Sequence, residues 1–342
     1  GGVLMSSPVS PSRRQLLMGA GAAALAMSSA SAAAQSAGSG RSAGAGLTGK
    51  SVLITGTSSG FGRLGAEHYA RLGAKVFATM RNLPRPEADE LRALAEDEGL
   101  DITVIEIDVT SDEQVEAGVA EAEAAAGGTL DVLINNAGTA MSGPIEVQDL
   151  EATKLMFDTN VFGAQRMIRA ALPAMREAGR GQIFNVTSQL GRLIIPGLGQ
   201  YSPTKFALEA LSEQLAYETV EKGIDVTIIQ PGGYPTEIWQ NAADRSAALK
   251  TRSRDSLIEA YPQLTAGMGE ASNGGGNTDP MDVPRAIAEI IAMPAGQRPL
   301  RKPVHPAAKP QIPINKVSAE QQLAMLGGSG YGPWLRAVLK NG

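Results

Sequence analysis

The chain has 342 residues, 43% hydrophobic and 19% charged, a balance that fits a globular protein of one large α/β domain and excludes a disordered one. Its net charge of −5 gives no electrostatic pull toward nucleic acid or an anionic membrane surface. With no Cys and two His, His68 and His305, it is excluded from disulfide, thiolate-metal, Cys-nucleophile and His-rich metal chemistry, and a Ser-His-Asp triad is not expected.

Arg13-Arg14 precede an uncharged Ala/Gly-rich run from Leu16 to Met27. A run of about a dozen residues is too short for a bilayer-spanning helix, which needs about twenty. Small-residue sites follow at Ala30-Ser31-Ala32 and Ala32-Ala33-Ala34. This layout predicts a cleavable twin-arginine export signal over residues 1–34, with Leu16 in the usual Phe place and Met18 in the usual Lys place. The location that follows is periplasmic with no stable membrane anchor, or cytoplasmic if the segment is only an Ala/Ser-rich tail. Residues 35–46 read as a Gly/Ser/Ala linker.

From Leu47 onward strand and helix patterns alternate. Strands are predicted at 51–55, 76–79, 102–107, 130–134, 182–186 and 226–229, and helices at 61–72, 87–98, 112–126, 152–178 and 201–221. Alternation at this spacing predicts a doubly wound parallel sheet, whose ligand binds past the carboxyl ends of the strands. Residues 47–300 form this domain and 301–342 a C-terminal extension. Residues 234–279 leave the repeat, 282–293 read as one more helix, 299–314 as Pro-rich and extended with a last strand, and 318–339 as a tail with a short helical stretch. That tail is free to close over the site or to cover a neighbouring subunit.

Each motif falls on a strand end. Gly56-Thr57-Ser58-Ser59-Gly60-Phe61-Gly62 joins the first strand to the first helix, where glycines allow close approach of phosphates to a helix amino end. After the second strand, Met80 stands where an acidic ribose ligand would be sought, and Arg81 follows. A guanidinium matches a 2′-phosphate, so the chain is expected to prefer NADP(H) over NAD(H); the plainer reading of Arg81 is a solvated loop cation. Asp108-Val109 flank an adenine position, and Asn135-Asn136-Ala137-Gly138 let a strand end bend close to a ribose. Tyr201 and Lys205 share a helix face, and Ser188 ends the fifth strand. A cation beside a phenol lowers its pKa and fits it to exchange a proton with a carbonyl or carbinol oxygen. The apolar loop 190–199, with Leu193, Ile194, Ile195 and Leu198, reads as one wall of a substrate site or as plain loop packing.

Thr-Gly-x-x-x-Gly-x-Gly, Asn-Asn-Ala-Gly, Asn160, Ser188, Tyr-x-x-x-Lys and Pro231-Gly232 occur in one order, and over residues 47–236 the chain resembles the short-chain dehydrogenase/reductase family. The resemblance implies a Rossmann fold with a substrate lid at 234–279 and hydride transfer between nicotinamide and a carbonyl or secondary alcohol of a fairly apolar small molecule. It implies Tyr201 as general acid/base, Lys205 as its modulator and ribose ligand, Ser188 orienting the substrate oxygen, and Asn160 anchoring a water that relays protons from Lys205. It places Gly56, Ser58 and Gly62 at the pyrophosphate turn with Gly60 among the cofactor contacts, Asp108 and Val109 at the adenine, and Asn136 and Gly138 at the adenosine ribose. Pro231, Gly232 and Thr236 would meet the nicotinamide end. It also implies a homodimer or homotetramer formed through the two longest helices. The alternatives are a non-catalytic NADP-binding sensor or scaffold on the same fold, and an epimerase or dehydratase.

Overall fold

The computed structural model describes residues 46–340. The twin-arginine segment and nearly all of the linker lie outside the described residues. Seven strands form one parallel sheet in the order β3-β2-β1-β4-β5-β6-β7. They are β1 (Ser51–Thr55), β2 (Lys75–Met80), β3 (Ile102–Glu106), β4 (Val132–Asn135), β5 (Gly181–Val186), β6 (Ile224–Pro231) and β7 (Arg301–Val304). The expected boundary at residue 300 therefore falls just before a strand of the same sheet, since β7 pairs with β6 from Ile228↔Arg301 to Pro231↔Val304.

Both faces of the sheet are covered, which is why its strands read as apolar runs rather than alternating ones. Val52 and Ile54 pack on one face with Tyr69 and Ile287, while Leu53 points to the other with Met167 and Leu215. The first face carries α1 (Gly60–Arg71), α2 (Pro86–Glu98) and α10 (Asp282–Ile291). The second carries α3 (Asp112–Ala126), α5 (Gly163–Ala178) and α6 (Tyr201–Thr219). The chain reverses direction across the sheet between β1 and β4, and this switch point opens the crevice that holds the site.

The helix predicted over 152–178 is interrupted. It begins as α4 (Leu150–Phe157), widens into a π turn over Asp158–Phe162, and resumes as α5. Such single-turn expansions are rare and recur at functional sites. Residues 234–279 form a lid of α7 (Ile238–Arg252), α8 (Asp255–Ala260) and α9 (Pro262–Thr265). The lid has its own small core, in which Leu249 and Met268 pack against Met141, Val147 and Met156. Ser142 N–H donates to Ser246 Oγ at 2.9 Å, Arg252 pairs with Asp149 at 2.7 Å, and Tyr261 O–H donates to Glu146 at 2.6 Å.

The C-terminal segment contains more helix than expected. Pro310 precedes α11 (Gln311–Leu326), which occupies part of the stretch expected to be extended, and α12 (Gly332–Leu339) follows. Pro is tolerated beside a helix start, so the Pro-rich reading misjudged where extension ends. Leu335 and Leu339 join the core on the α6 face, and the tail packs there rather than over the crevice. Among the described residues no helix is long and apolar enough to cross a membrane.

Candidate active site

The glycine turn is built by its neighbours. Thr57 N–H and Oγ1–H both donate to the Thr79 carbonyl at 3.0 Å, tying the turn to β2. Asn136 Nδ2 donates to the carbonyls of Thr55 at 2.9 Å and Gly56 at 3.3 Å, tying it to β4. Gly56 has φ 73° and Gly60 φ 54°, conformations that favour glycine. A side chain at Gly62 would run into the Gly56 carbonyl and the Asn136 amide.

One crevice of about 420 Å³ starts at this turn and runs to Tyr201 and Lys205. Along it lie Gly56, Ser58 and Gly60, then Arg81, then Asp108, Val109, Asn136 and Gly138. At its far end stand Ser188, Tyr201, Lys205, Pro231, Gly232 and Thr236. Gly62 and Asn160 do not line it; they support it from behind.

Lys205 is buried and its Nζ donates to the Val186 carbonyl at 3.1 Å, 5.7 Å from the centre of the Tyr201 ring. Burial lowers the lysine to a pKa of about 8, against the opposing charge of Glu209. Burial raises the Tyr201 phenol above its ordinary value, and a hydrogen bond with Ser188 works against that rise. The Tyr201 phenol therefore lies above rather than below its ordinary value, because desolvation outweighs the hydrogen bond with Ser188.

Asn160 is 1% exposed at the centre of the π turn. Its Oδ1 accepts from Thr139 N–H at 2.7 Å, and its Nδ2 donates to the Thr139 carbonyl at 2.9 Å and to Thr204 Oγ1 at 3.0 Å. Gly138, expected near the adenosine ribose, lies against this pair. A Cβ there would stand 3.4 Å from Asn160 Oδ1 and 3.7 Å from Lys205 Nζ.

Some crevice residues carried no signal in the sequence. Arg85 and Arg245 join Arg81 in its lining, and Trp239 and Leu155 add apolar surface. Arg85 pairs with Glu87 at 2.8 Å. Arg245 projects from the lid helix, donates to the Asn241 carbonyl at 3.0 Å, and has its pKa lowered by burial and by the charge of Arg81. Among the described residues no carboxylate reaches ion-pair distance of Arg81 or Arg245. The apolar loop 190–199 does not wall the crevice. Ile194 and Ile195 are exposed, and Gly197 sits beside Leu264 of α9. Among the described residues no cluster of three or more His, Asp or Glu could hold a metal.

A family model for short chain dehydrogenases matches residues 50–247. Bovine (Bos taurus) retinol dehydrogenase 8 is 31% identical over 286 residues, 80% of this chain and 87% of that protein. A Burkholderia phymatum short-chain dehydrogenase/reductase solved with NAD superposes with a TM-score of 0.64 at 26% identity, covering 82% of this chain and 95% of that one. A metagenomic short-chain oxidoreductase solved with NADP gives 0.51 at 27% identity, over 54% and 83% of the two chains. The glycine turn, the crevice at the switch point and a sequence match over more than half the chain agree: this protein belongs to the short-chain dehydrogenase family, oxidoreductases that work with a nicotinamide dinucleotide.

Proposed function

We propose that this chain is an NADP(H)-dependent oxidoreductase acting on a carbonyl or secondary alcohol of a fairly apolar small molecule, with Tyr201 as its general acid/base. The observation that carries this reading is the meeting of Tyr201, Ser188 and Lys205 at the end of the crevice that begins at the glycine turn. The crevice fits a dinucleotide. Its turn is held open by glycines, and Arg81, Arg85 and Arg245 gather at the end of β2, where a 2′-phosphate would need cations. Gly56, Ser58 and Gly60 would line the pyrophosphate, with Gly62 keeping the turn tight. Asp108 and Val109 would meet the adenine, Asn136 the ribose side, and Pro231, Gly232 and Thr236 the nicotinamide end. The bound cofactor supplies or accepts the hydride.

The protein's part is the proton. A phenol raised by burial stays protonated near neutral pH, which suits it to donate to a carbonyl oxygen as negative charge develops there. Ser188 would hold the same oxygen. Below about pH 8 Lys205 is charged and would stabilise the tyrosinate left behind. At an effective dielectric of about 20, opposite charges about 4–6 Å apart attract by on the order of 3–4 kcal/mol. Asn160, fixed by Thr139 and Thr204, would anchor a water through its remaining carbonyl lone pair and return a proton by way of Lys205. Trp239, Leu155 and the lid would receive an apolar substrate, consistent with the likeness to a retinol dehydrogenase.

The test is a carbonyl panel run with NADPH and NADH side by side on the wild type and on Tyr201→Phe. Loss of nearly all NADPH oxidation in the variant is expected. Full turnover in Tyr201→Phe overturns the mechanism, and tight NADPH binding without turnover across the panel favours a binding role. The assembly proposed is a homodimer or homotetramer, read by light scattering. Export to a periplasm is proposed from residues 1–34 and is read by cell fractionation.

A further inference from the structure

Glu209 lies one helical turn past Lys205 on α6 and is 2% exposed. Its Oε1 accepts from Thr187 Oγ1 and from Gln230 Nε2, both at 2.8 Å, and its Oε2 accepts from Arg301 Nε at 2.9 Å. Thr187 immediately precedes Ser188, and Gln230 immediately precedes Pro231. The loop after Ser188 also rests on this side chain: a Cβ at Gly191 would stand 2.9 Å from Glu209 Cγ. Arg301 continues to Glu213 at 2.5 Å, and Gln230 is held by Asn315 at 2.8 Å and Gln311 at 3.2 Å.

We propose that Glu209 is a positioning residue of the active site: its carboxylate fixes the ends of β5 and β6 that present Ser188 and Pro231, and through Arg301 it makes the C-terminal segment part of the support beneath Lys205. A buried carboxylate with three donors is restrained in a way that an exposed helix Glu is not. Uncompensated, the same charge would be costly to bury, and Arg301 from β7 supplies the compensation. The inference rests on the proposed roles of Tyr201 and Lys205. The groups that act on Lys205 are Tyr201 and Glu209 from α6, and those that face Glu209 in turn are Arg192 from the loop after β5 and Arg301 from β7, with Glu213 of α6 paired to Arg301 and Tyr217 bonded to Glu213.

The experiment is the pH dependence of NADPH oxidation with decanal as the carbonyl probe, run on full-length wild type, Glu209→Gln and Arg301→Gln. Phenolate absorbance is titrated in parallel, with Tyr201→Phe as blank. Removing the carboxylate destabilises the charged lysine and favours phenolate, so the alkaline limb and the phenolate midpoint move down by about one pH unit in Glu209→Gln. Removing the guanidinium moves both up in Arg301→Gln. A fold weakened in either variant does not produce shifts of opposite sign. Where Arg301→Gln does not fold, the double variant Glu209→Gln/Arg301→Gln should bring the midpoint back toward wild type. Midpoints that stay put, or that move the same way in both single variants, overturn the inference. A double variant left at the Glu209→Gln midpoint overturns it as well. If instead Tyr201→Phe keeps full turnover, the reading of Tyr201 fails and not merely that of Glu209.

Discussion

Gly138 offers a sharp test of proton return. Its φ lies outside the left-handed region, and the nearest atoms to an added Cβ are Asn160 Oδ1 at 3.4 Å, Lys205 Nζ at 3.7 Å and the Asn136 carbonyl at 3.8 Å. All are ordinary van der Waals separations, so Gly138→Ala should fold, with stability changed by less than about 1 kcal/mol in either direction. The methyl would nevertheless take the space between the amide and the ammonium, where a bridging water needs its own volume and two to four polar partners. General acid/base groups contribute about 10²–10⁴-fold. Losing the return path while Tyr201 itself remains should cost about ten- to a hundredfold in kcat, or about 1.4–2.8 kcal/mol. The KM for NADPH should stay within about twofold, because the contact lies away from the phosphates. The assay is NADPH oxidation at saturating carbonyl, with a thermal melt on the same sample. A variant with unchanged melting and unchanged kcat would show that protons do not pass through this space. A melting point several degrees lower would show that the contact argument itself is wrong.

Three further outcomes are expected. Arg81→Asp should shift the NADPH-to-NADH ratio of kcat/KM toward NADH by about ten- to a hundredfold, the worth of a charged hydrogen bond to phosphate, and an unchanged ratio refutes a 2′-phosphate role. Gly62→Ala should lower stability by about 1–3 kcal/mol and weaken NADPH binding, because the Cβ meets backbone and amide that cannot move independently; calorimetric titration and melting check both. Carbonyl reduction should fall as pH rises past about 8, where Lys205 loses its proton. The stability sign is opposite: the unfolded lysine binds a proton up to about pH 10.4, so this residue's contribution to stability rises with pH between those values. Melting of the wild type against Lys205→Met across that window reads the effect.

The central strands were legible because they carry unbroken apolar runs, such as Val52-Leu53-Ile54 and Val132-Leu133-Ile134, and because glycine and amide residues mark the turns after β1 and β4; β7, Arg301-Lys302-Pro303-Val304, carries no such run. The π turn was not legible, since an extra residue in a helix leaves the composition of 152–178 unchanged. Nor was the burial of Glu209 and Arg301, because each charge is compensated by the other, and 92 residues separate them. Arg245 sits in a lid without motif, placed by Ser246 on Ser142 and by Leu249 in the lid core rather than by any local pattern. The loop 190–199 stayed open between a substrate wall and plain loop packing for a related reason: apolar character does not say which surface a segment meets.

The widened turn at Asn160 ties the reaction to a residue count. A regular helix advances about 100° per residue, so deleting any one position between Asp158 and Phe162 would leave a straighter, better-bonded helix while swinging either the asparagine or everything after it away from its present neighbours. Such a shortened chain is expected to be inert, and its straighter helix would come with the loss of the core packing that α5 makes through Met167, Ile168 and Met175. Here a local break in backbone regularity is what keeps an amide behind the lysine.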